Sequence, residues 1–343
     1  MSKPDLSRRD FLKLSSYSLM GMLLPNISLT YPRQDDFANL QGRVTERTVW
    51  SYEGPDFKST RKKLYWHDLV IPIKNSTISD DESTHNRVWY EVEEGGYVYS
   101  GSIQPVRTIL NEPQNISLKG TLGEVSVPFS DAHLEPDSNT EVVYRLYYGS
   151  VHWVKASAIH PLDGSKWYTL LDDKLERSYF VPAEHIRLLP DSELTPLSQT
   201  VPDKEKRVEV RLNDQLVLAY ENNNLVFATL ASTGGRLQSG TYTTPGGNFV
   251  TFHKRPTRHM AGGDLAASGF DLPGVPWVLY ITKSGISFHG TYWHNDFGRP
   301  RSHGCINLTP QAAKWLYRWT TPSVLPDKEL AYGYVGTKVE IKV

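Results

Sequence analysis

Proline and glycine interrupt this chain so often that long helices have little room: 22 Pro and 25 Gly are spread over 343 residues. Between them lie short runs rich in β-branched and aromatic residues, with 9 Trp and 19 Tyr in the chain. That arrangement favours short strands joined by turns, because proline removes a backbone donor and glycine admits the positive φ of tight turns. A chain of this length divides most naturally into two or three domains. One cysteine, Cys305, cannot close an internal disulfide, so burial and hydrogen bonding must hold the fold. The 37 basic and 38 acidic residues leave a formal net charge of -1. That balance argues against nucleic acid as a partner, since neutralising phosphates takes a surplus of Lys and Arg.

The expected strands fall into three groups. In the first, Arg43 to Trp50 alternates and ends near Gly54-Pro55, and Leu64 to Ile73 forms a second run. Arg87 to Tyr99 reads as two strands joined at Glu94-Gly95-Gly96. A second block repeats the plan with Gly123 to Phe129, Glu141 to Trp153, Lys166 to Leu170 and Ser178 to Val181. The endings correspond: Trp89-Tyr90 and Tyr97-Val98-Tyr99 in one, Trp167-Tyr168 and Tyr179-Phe180-Val181 in the other. Residues 40–106 and 120–190 both resemble bacterial SH3-like modules, small barrels whose last strands carry a Trp-Tyr pair and a closing aromatic strand. Such modules hold peptidoglycan or a neighbouring domain, and simple packing of a barrel core accounts for the same aromatics equally well.

A polar, proline-containing linker over 191–206 leads to the last domain, 207–343. Its expected strands include Leu216 to Tyr220, Leu225 to Leu230, Pro276 to Thr282, Gly285 to His289 and Lys338 to Val343. One helix is expected, with Thr309 as N-cap and Pro310 at its first position. Ala312, Trp315, Leu316 and Trp319 follow helical spacing and mark its buried face. The chain therefore reads as mainly β.

The stretch Phe288 to Leu308, FHGTYWHNDFGRPRSHGCINL, gathers His289, His294, His303 and Cys305 within 17 positions. Gly304 removes a side chain beside the sulfur and permits a tight turn. A nucleophilic thiol must be partly thiolate at working pH, which an adjacent imidazole brings about. His289, sixteen residues upstream, ends a strand that the intervening loop can fold back against Cys305.

The pattern H-G-T, a loop, then S-H-G-C-I-N resembles the signature of the YkuD family, the L,D-transpeptidase catalytic domain. Ser232-Thr233-Gly234 and Thr244-Pro245-Gly246-Gly247-Asn248-Phe249 resemble its supporting segments. The resemblance covers 207–343 and implies a β-sandwich with the helix after the catalytic cysteine. It implies Cys305 as nucleophile, His289 as base, the Gly290 carbonyl orienting that imidazole, and backbone N–H groups around Gly304 and Cys305 as oxyanion hole. His303 and Ser302 would shape the floor beside the sulfur, and Asn307 would anchor substrate or brace the turn. Arg299 and Arg301 are candidates for meeting stem-peptide carboxylates. His294 lies in a loop or lid, where a structural and a substrate-facing role are both open. The implied reaction takes a tetrapeptide stem of peptidoglycan, releases D-Ala, and passes the acyl group to an amine in a 3-3 cross-link or to water. No metal or cofactor is implied.

Three rivals remain at this level. Water as acceptor gives an L,D-carboxypeptidase. Three histidines and a thiolate are also the ligand types of a zinc hydrolase, although no H-E-x-x-H helix is present. A non-catalytic wall-binding protein is the third. At the N-terminus, Ser7-Arg8-Arg9-Asp10-Phe11-Leu12-Lys13 resembles a twin-arginine export signal, followed by an apolar run too short to span a bilayer in the mature protein. Residues 1–30 therefore imply export to the periplasm, the cell wall or the outer face of the cytoplasmic membrane, with cleavage and retention as a membrane anchor both open.

Overall fold

The two aromatic-rich blocks fold on one plan. The computed structural model describes residues 37–237, 240–263 and 269–343, so the twin-arginine-like segment lies outside the described residues. The first block holds β1 (Gln41–Val44), β2 (Thr48–Tyr52), β3 (Arg61–Trp66), β4 (Val70–Ile78), β5 (Val88–Val92), β6 (Tyr97–Tyr99) and β7 (Ile103–Val106). The second holds β8 (Thr121–Val125), β9 (Phe129–His133), β10 (Val142–Tyr147), β11 (Val151–Ile159), β12 (Lys166–Leu171), β13 (Ser178–Pro182) and β14 (Ile186–Leu188). Their sheets run β3-β2-β6-β5-β4-β1-β7 and β10-β9-β13-β12-β11-β8-β14, the same order shifted by seven. Even a ladder irregularity recurs, after Ile73 in β4 and after Val154 in β11, each the fourth residue of its strand. Trp89 and Trp167 hold equivalent places as the second residue of β5 and β12, and both are buried.

Three expected runs are broken; one, Gly123 to Phe129, divides at residues 126–128 between β8 and β9. Arg43 to Trp50 is two strands, not one, and Leu64 to Ile73 divides at His67–Leu69. The break centres on Asp68, at φ 64, whose carboxylate takes Arg43 at 2.8 Å and Tyr147 at 3.1 Å. Long-range polar bonds override the local strand pattern there.

The last domain comprises β15 (Lys206–Arg211), β16 (Leu216–Glu221), β17 (Asn224–Leu230), β18 (Arg236–Leu237), β19 (Gly240–Thr241), β20 (Gly247–Val250), β21 (His253–Gly262), β22 (Phe270–Tyr280), β23 (Ser287–Gly290), β24 (Ile306–Leu308), α1 (Pro310–Trp319), β25 (Ala331–Tyr332) and β26 (Lys338–Lys342). Two five-stranded sheets form, β17-β16-β15-β26-β20 and β24-β23-β22-β21-β25. Val208, Val210, Val217 and Phe227 of one share a core with Trp277, Leu279, Phe288, Ile306 and Leu308 of the other. Helix α1 begins as its sequence dictates, with Thr309 accepting from the Ala312 N–H and Pro310 in the first turn. It buries Ala312, Ala313, Leu316, Tyr317 and Trp319, while Trp315 stacks on Phe227 at 4.1 Å.

The two modules meet this domain differently. Leu122, Val151 and Trp153 of the second belong to the last domain's own hydrophobic core. The first keeps a separate core and reaches the last domain mainly through polar side chains. Among the described residues no helix is long and apolar enough to cross a membrane.

Candidate active site

Strand alternation decides where the chemistry sits. Strands β23 and β24 are parallel neighbours with His289 opposite Asn307 and Phe288 opposite Ile306. Phe288, Ile306 and Leu308 point into the sandwich core. The period of two therefore turns Ser287, His289 and Asn307 to the opposite face, and Cys305, one residue before β24, joins that patch with its Sγ near Ser287 Oγ. His289 and Cys305, sixteen residues apart in sequence, thus lie diagonally across β23 and the turn that leads into β24.

The imidazole is fixed from behind. Its Nδ1 lies 3.1 Å from the Gly290 carbonyl. A carbonyl only accepts, so Nδ1 carries the proton and Nε2 is left as the basic nitrogen. Burial holds His289 at about 4, well below the usual 6.5. Trp293 covers the ring at 5.7 Å.

The thiol is partly exposed. Burial still pushes it up, while the Ser287 backbone N–H and hydroxyl pull the other way. Ser287 Oγ is 3.7 Å from Sγ and the Gly285 carbonyl 3.8 Å away. Both shifts favour the uncharged forms, so the resting pair is thiol and neutral imidazole rather than an ion pair. Ser287 was not singled out from sequence; its signal was its place two residues before His289, on the same strand face.

The turn carrying Cys305 is braced by the segments upstream. Gly304 sits at φ 113, where a Cβ would approach the Thr243 carbonyl at 3.3 Å. Its own carbonyl accepts from Thr244 Oγ1 at 2.7 Å, and Thr244 Oγ1 accepts from the Gly234 N–H at 2.9 Å. Ser302 Oγ donates to the Cys305 carbonyl and accepts from the Gly304 N–H at 3.1 Å. Ser302 is buried and spans this turn. Ser232 exchanges backbone hydrogen bonds with Asn307, and the Thr233 carbonyl accepts from the Arg301 and Ser302 N–H groups.

The remaining candidates separate. His294 is buried, with Nε2 3.0 Å from the side-chain amide of Asn307, and burial drives it well below an ordinary imidazole. His303 is exposed and packs on Tyr242 at 4.5 Å and Phe270 at 5.2 Å. Arg299 and Arg301 turn to Asp296, at 2.5 and 3.3 Å, and Arg301 also takes Glu46 at 2.6 Å. The three histidines thus have three different surroundings. Among the described residues no group of three or more His, Cys, Asp or Glu side chains is placed to hold a metal ion.

Residues 205–341 match the YkuD family, described as the L,D-transpeptidase catalytic domain. Over 135 residues, 36% of this chain, the sequence is 29% identical to YciB of Bacillus subtilis (strain 168), an L,D-transpeptidase by name, and the match spans 66% of that protein. A crystal structure of a mutant Enterococcus faecium L,D-transpeptidase is similar over 40% of this chain, at 22% identity and a TM-score of 0.31, and the chain spans about half of it, 49%. An L,D-transpeptidase from Mycobacterium smegmatis aligns with 75% of this chain and 90% of its own, at 16% identity and a TM-score of 0.33. What this chain shares with the YkuD family of L,D-transpeptidase catalytic domains is thus its last part, residues 205–341.

Proposed function

We propose that the protein is an exported peptidoglycan L,D-transpeptidase in which Cys305 is the nucleophile and His289 the general base. The observation that carries this reading is the face shared by β23 and the turn into β24: a partly exposed thiol beside Ser287, diagonal to an imidazole whose Nδ1 is held by the Gly290 carbonyl. With Nδ1 occupied, only Nε2 is available to take a proton.

Acylation then runs as follows. His289 Nε2 takes the thiol proton as sulfur bonds to the carbonyl carbon that precedes the terminal D-Ala of a tetrapeptide stem. The carbonyl electrons move onto oxygen, which the Cys305 N–H stabilises; the Gly304 N–H, expected from sequence to share that task, is held instead by Ser302 Oγ. The C–N bond breaks and D-Ala leaves as an amine with the proton from His289. An amine of a second stem attacks the thioester, gives its surplus proton to His289, and expels the thiolate, which recovers that proton. The product is a 3-3 cross-link. Water in place of the amine gives a trimmed tripeptide stem and makes the enzyme an L,D-carboxypeptidase. Gly290, Gly304, Ser302 and Asn307 serve as orienting and bracing groups, supported by the bonds above, and His303 lines the exposed rim. The two repeated modules are read as SH3-like units that present the catalytic domain to the wall.

Purified full-length protein incubated with tetrapeptide stems, followed by mass spectrometry, tests the reading. D-Ala release with a cross-linked dimer is expected, and Cys305→Ala should abolish both with the fold intact. Stems left whole by the native protein, or processed by the alanine variant, would overturn it.

A further inference from the structure

The reaction above makes no use of Asp296, yet no other acidic group is so heavily bonded around the loop between β23 and β24. Its side chain is 1% exposed. One oxygen takes His85 Nε2 at 2.8 Å and the Tyr99 hydroxyl at 2.9 Å, both from the first module. The other takes Arg299 Nε at 2.5 Å and Arg301 Nη1 at 3.3 Å, both from the loop itself. Burial works against its charge, but the His85 bond and the Arg299 guanidinium prevail and hold the carboxyl at about 2.

Neighbouring bonds tie the same loop to the same module. Arg43, buried in the first module, donates to the Tyr292 carbonyl at 2.7 Å. Asn295 bonds the Ser100 carbonyl at 3.1 Å through its side chain and the Gly101 carbonyl at 3.3 Å through its backbone. Position 101 has to be glycine for this fit, since a Cβ there would stand 2.6 Å from the Asp296 carboxylate. Tyr99 is in turn packed among Phe57 and Trp89, so the anchor is itself rigid.

From Asp296 a short path leads to the chemistry. Its backbone N–H donates to His294 Nδ1 at 3.3 Å. With Nδ1 accepting, neutral His294 carries its proton on Nε2 and donates it to the side-chain amide oxygen of Asn307, 3.0 Å being the approach of the ring to that amide; Asn307 lies opposite His289 and two residues after Cys305. We infer that Asp296 is a positioning residue: it fastens the catalytic loop to the first module and, through His294 and Asn307, sets the placement of His289 relative to Cys305. The inference rests on the proposed roles of those two residues. It makes the first module part of the machinery for the acyl step rather than only a wall-targeting attachment.

The test uses the full chain and alters the module rather than the catalytic domain. In the double variant His85→Leu/Tyr99→Phe, both module donors to Asp296 are gone. Acylation of Cys305 by a carbapenem, followed by intact mass, gives a maximal rate and a half-saturating concentration. Misplacing reacting groups by about an ångström costs up to roughly 100-fold, so the maximal rate should fall at least about tenfold with the half-saturating concentration within about threefold. His85→Gln alone, which keeps an N–H donor, should stay within about threefold of native on both constants. Amide exchange of residues 291–303 should speed up at least about tenfold in the double variant, an effect that needs no chemistry at the thiol. A maximal rate within twofold of native, or unchanged exchange, overturns the inference. Absence of acylation in the native protein would instead strike at the thiol reading, and the exchange result would still decide this one.

Discussion

The acid limb of the proposed reaction is the sharpest consequence of the site's electrostatics. An ordinary imidazole titrates near 6.5, whereas burial holds His289 at about 4. At pH 5 roughly 90% of His289 is then neutral and competent as a base, against about 3% for an unperturbed imidazole. The thiol is protonated at either pH, so lowering the pH from 7 to 5 should leave the carbapenem acylation rate of Cys305 nearly unchanged. A loss of tenfold or more, with a midpoint near that of free imidazole, would refute either the burial of His289 or its role. Stability moves in the same window and has to be followed by a parallel melt. A folded value below the unfolded one means the native state binds fewer protons. The stabilisation is therefore complete above 6.5 and drains as pH falls toward 4. At pH 5 the loss is about 2 kcal/mol from His289, and a similar amount from His152, which burial holds at about 3. His259 opposes this: despite its burial, bonds to Asp172 and Asp271 raise it, so its contribution is present at low pH and lost on the alkaline side. Melting should thus be lower at pH 5 than at pH 7 while the surviving folded protein reacts at nearly full rate.

Two substitutions probe the scaffold. Gly274 lies at φ 71 with the buried His152 ring where a Cβ would go, so Gly274→Ala should combine backbone strain with overpacking and cost about 3 kcal/mol or more in a denaturant titration; an unchanged midpoint would mean the second module and β22 do not meet as described. Thr309→Ala removes the N-cap bond of α1 and should cost about 1 kcal/mol by the same measurement, with Cys305 acylation unaltered; a large rate effect would show the helix start to be part of the reacting site.

Whatever was carried by neighbouring residues could be read from the sequence. A short motif's resemblance to a known family implies Cys305, His289 and the Gly290 carbonyl as one site, and α1 follows from a threonine, a proline and four apolar positions. Asp296 could not be found that way, because its partners His85 and Tyr99 lie 211 and 197 residues away. Arg299 and Arg301 looked like substrate cations for the same reason: nothing local shows that a buried carboxylate already holds them. The repeat was visible as paired aromatics, but the broken run at Asp68 depends on Arg43, Arg145 and Tyr147 meeting in space.

A duplicated unit ordinarily offers two equivalent places to divide a chain, and here the copies are not equivalent. Because Leu122, Val151 and Trp153 complete the hydrophobic interior of the last domain, severing the chain near residue 200 would strip oil from both fragments and leave each prone to aggregate. The earlier copy has its own apolar centre and touches its neighbour through charges and hydrogen bonds. Cooperativity should therefore follow the seam rather than the symmetry, with everything after residue 120 melting as one body.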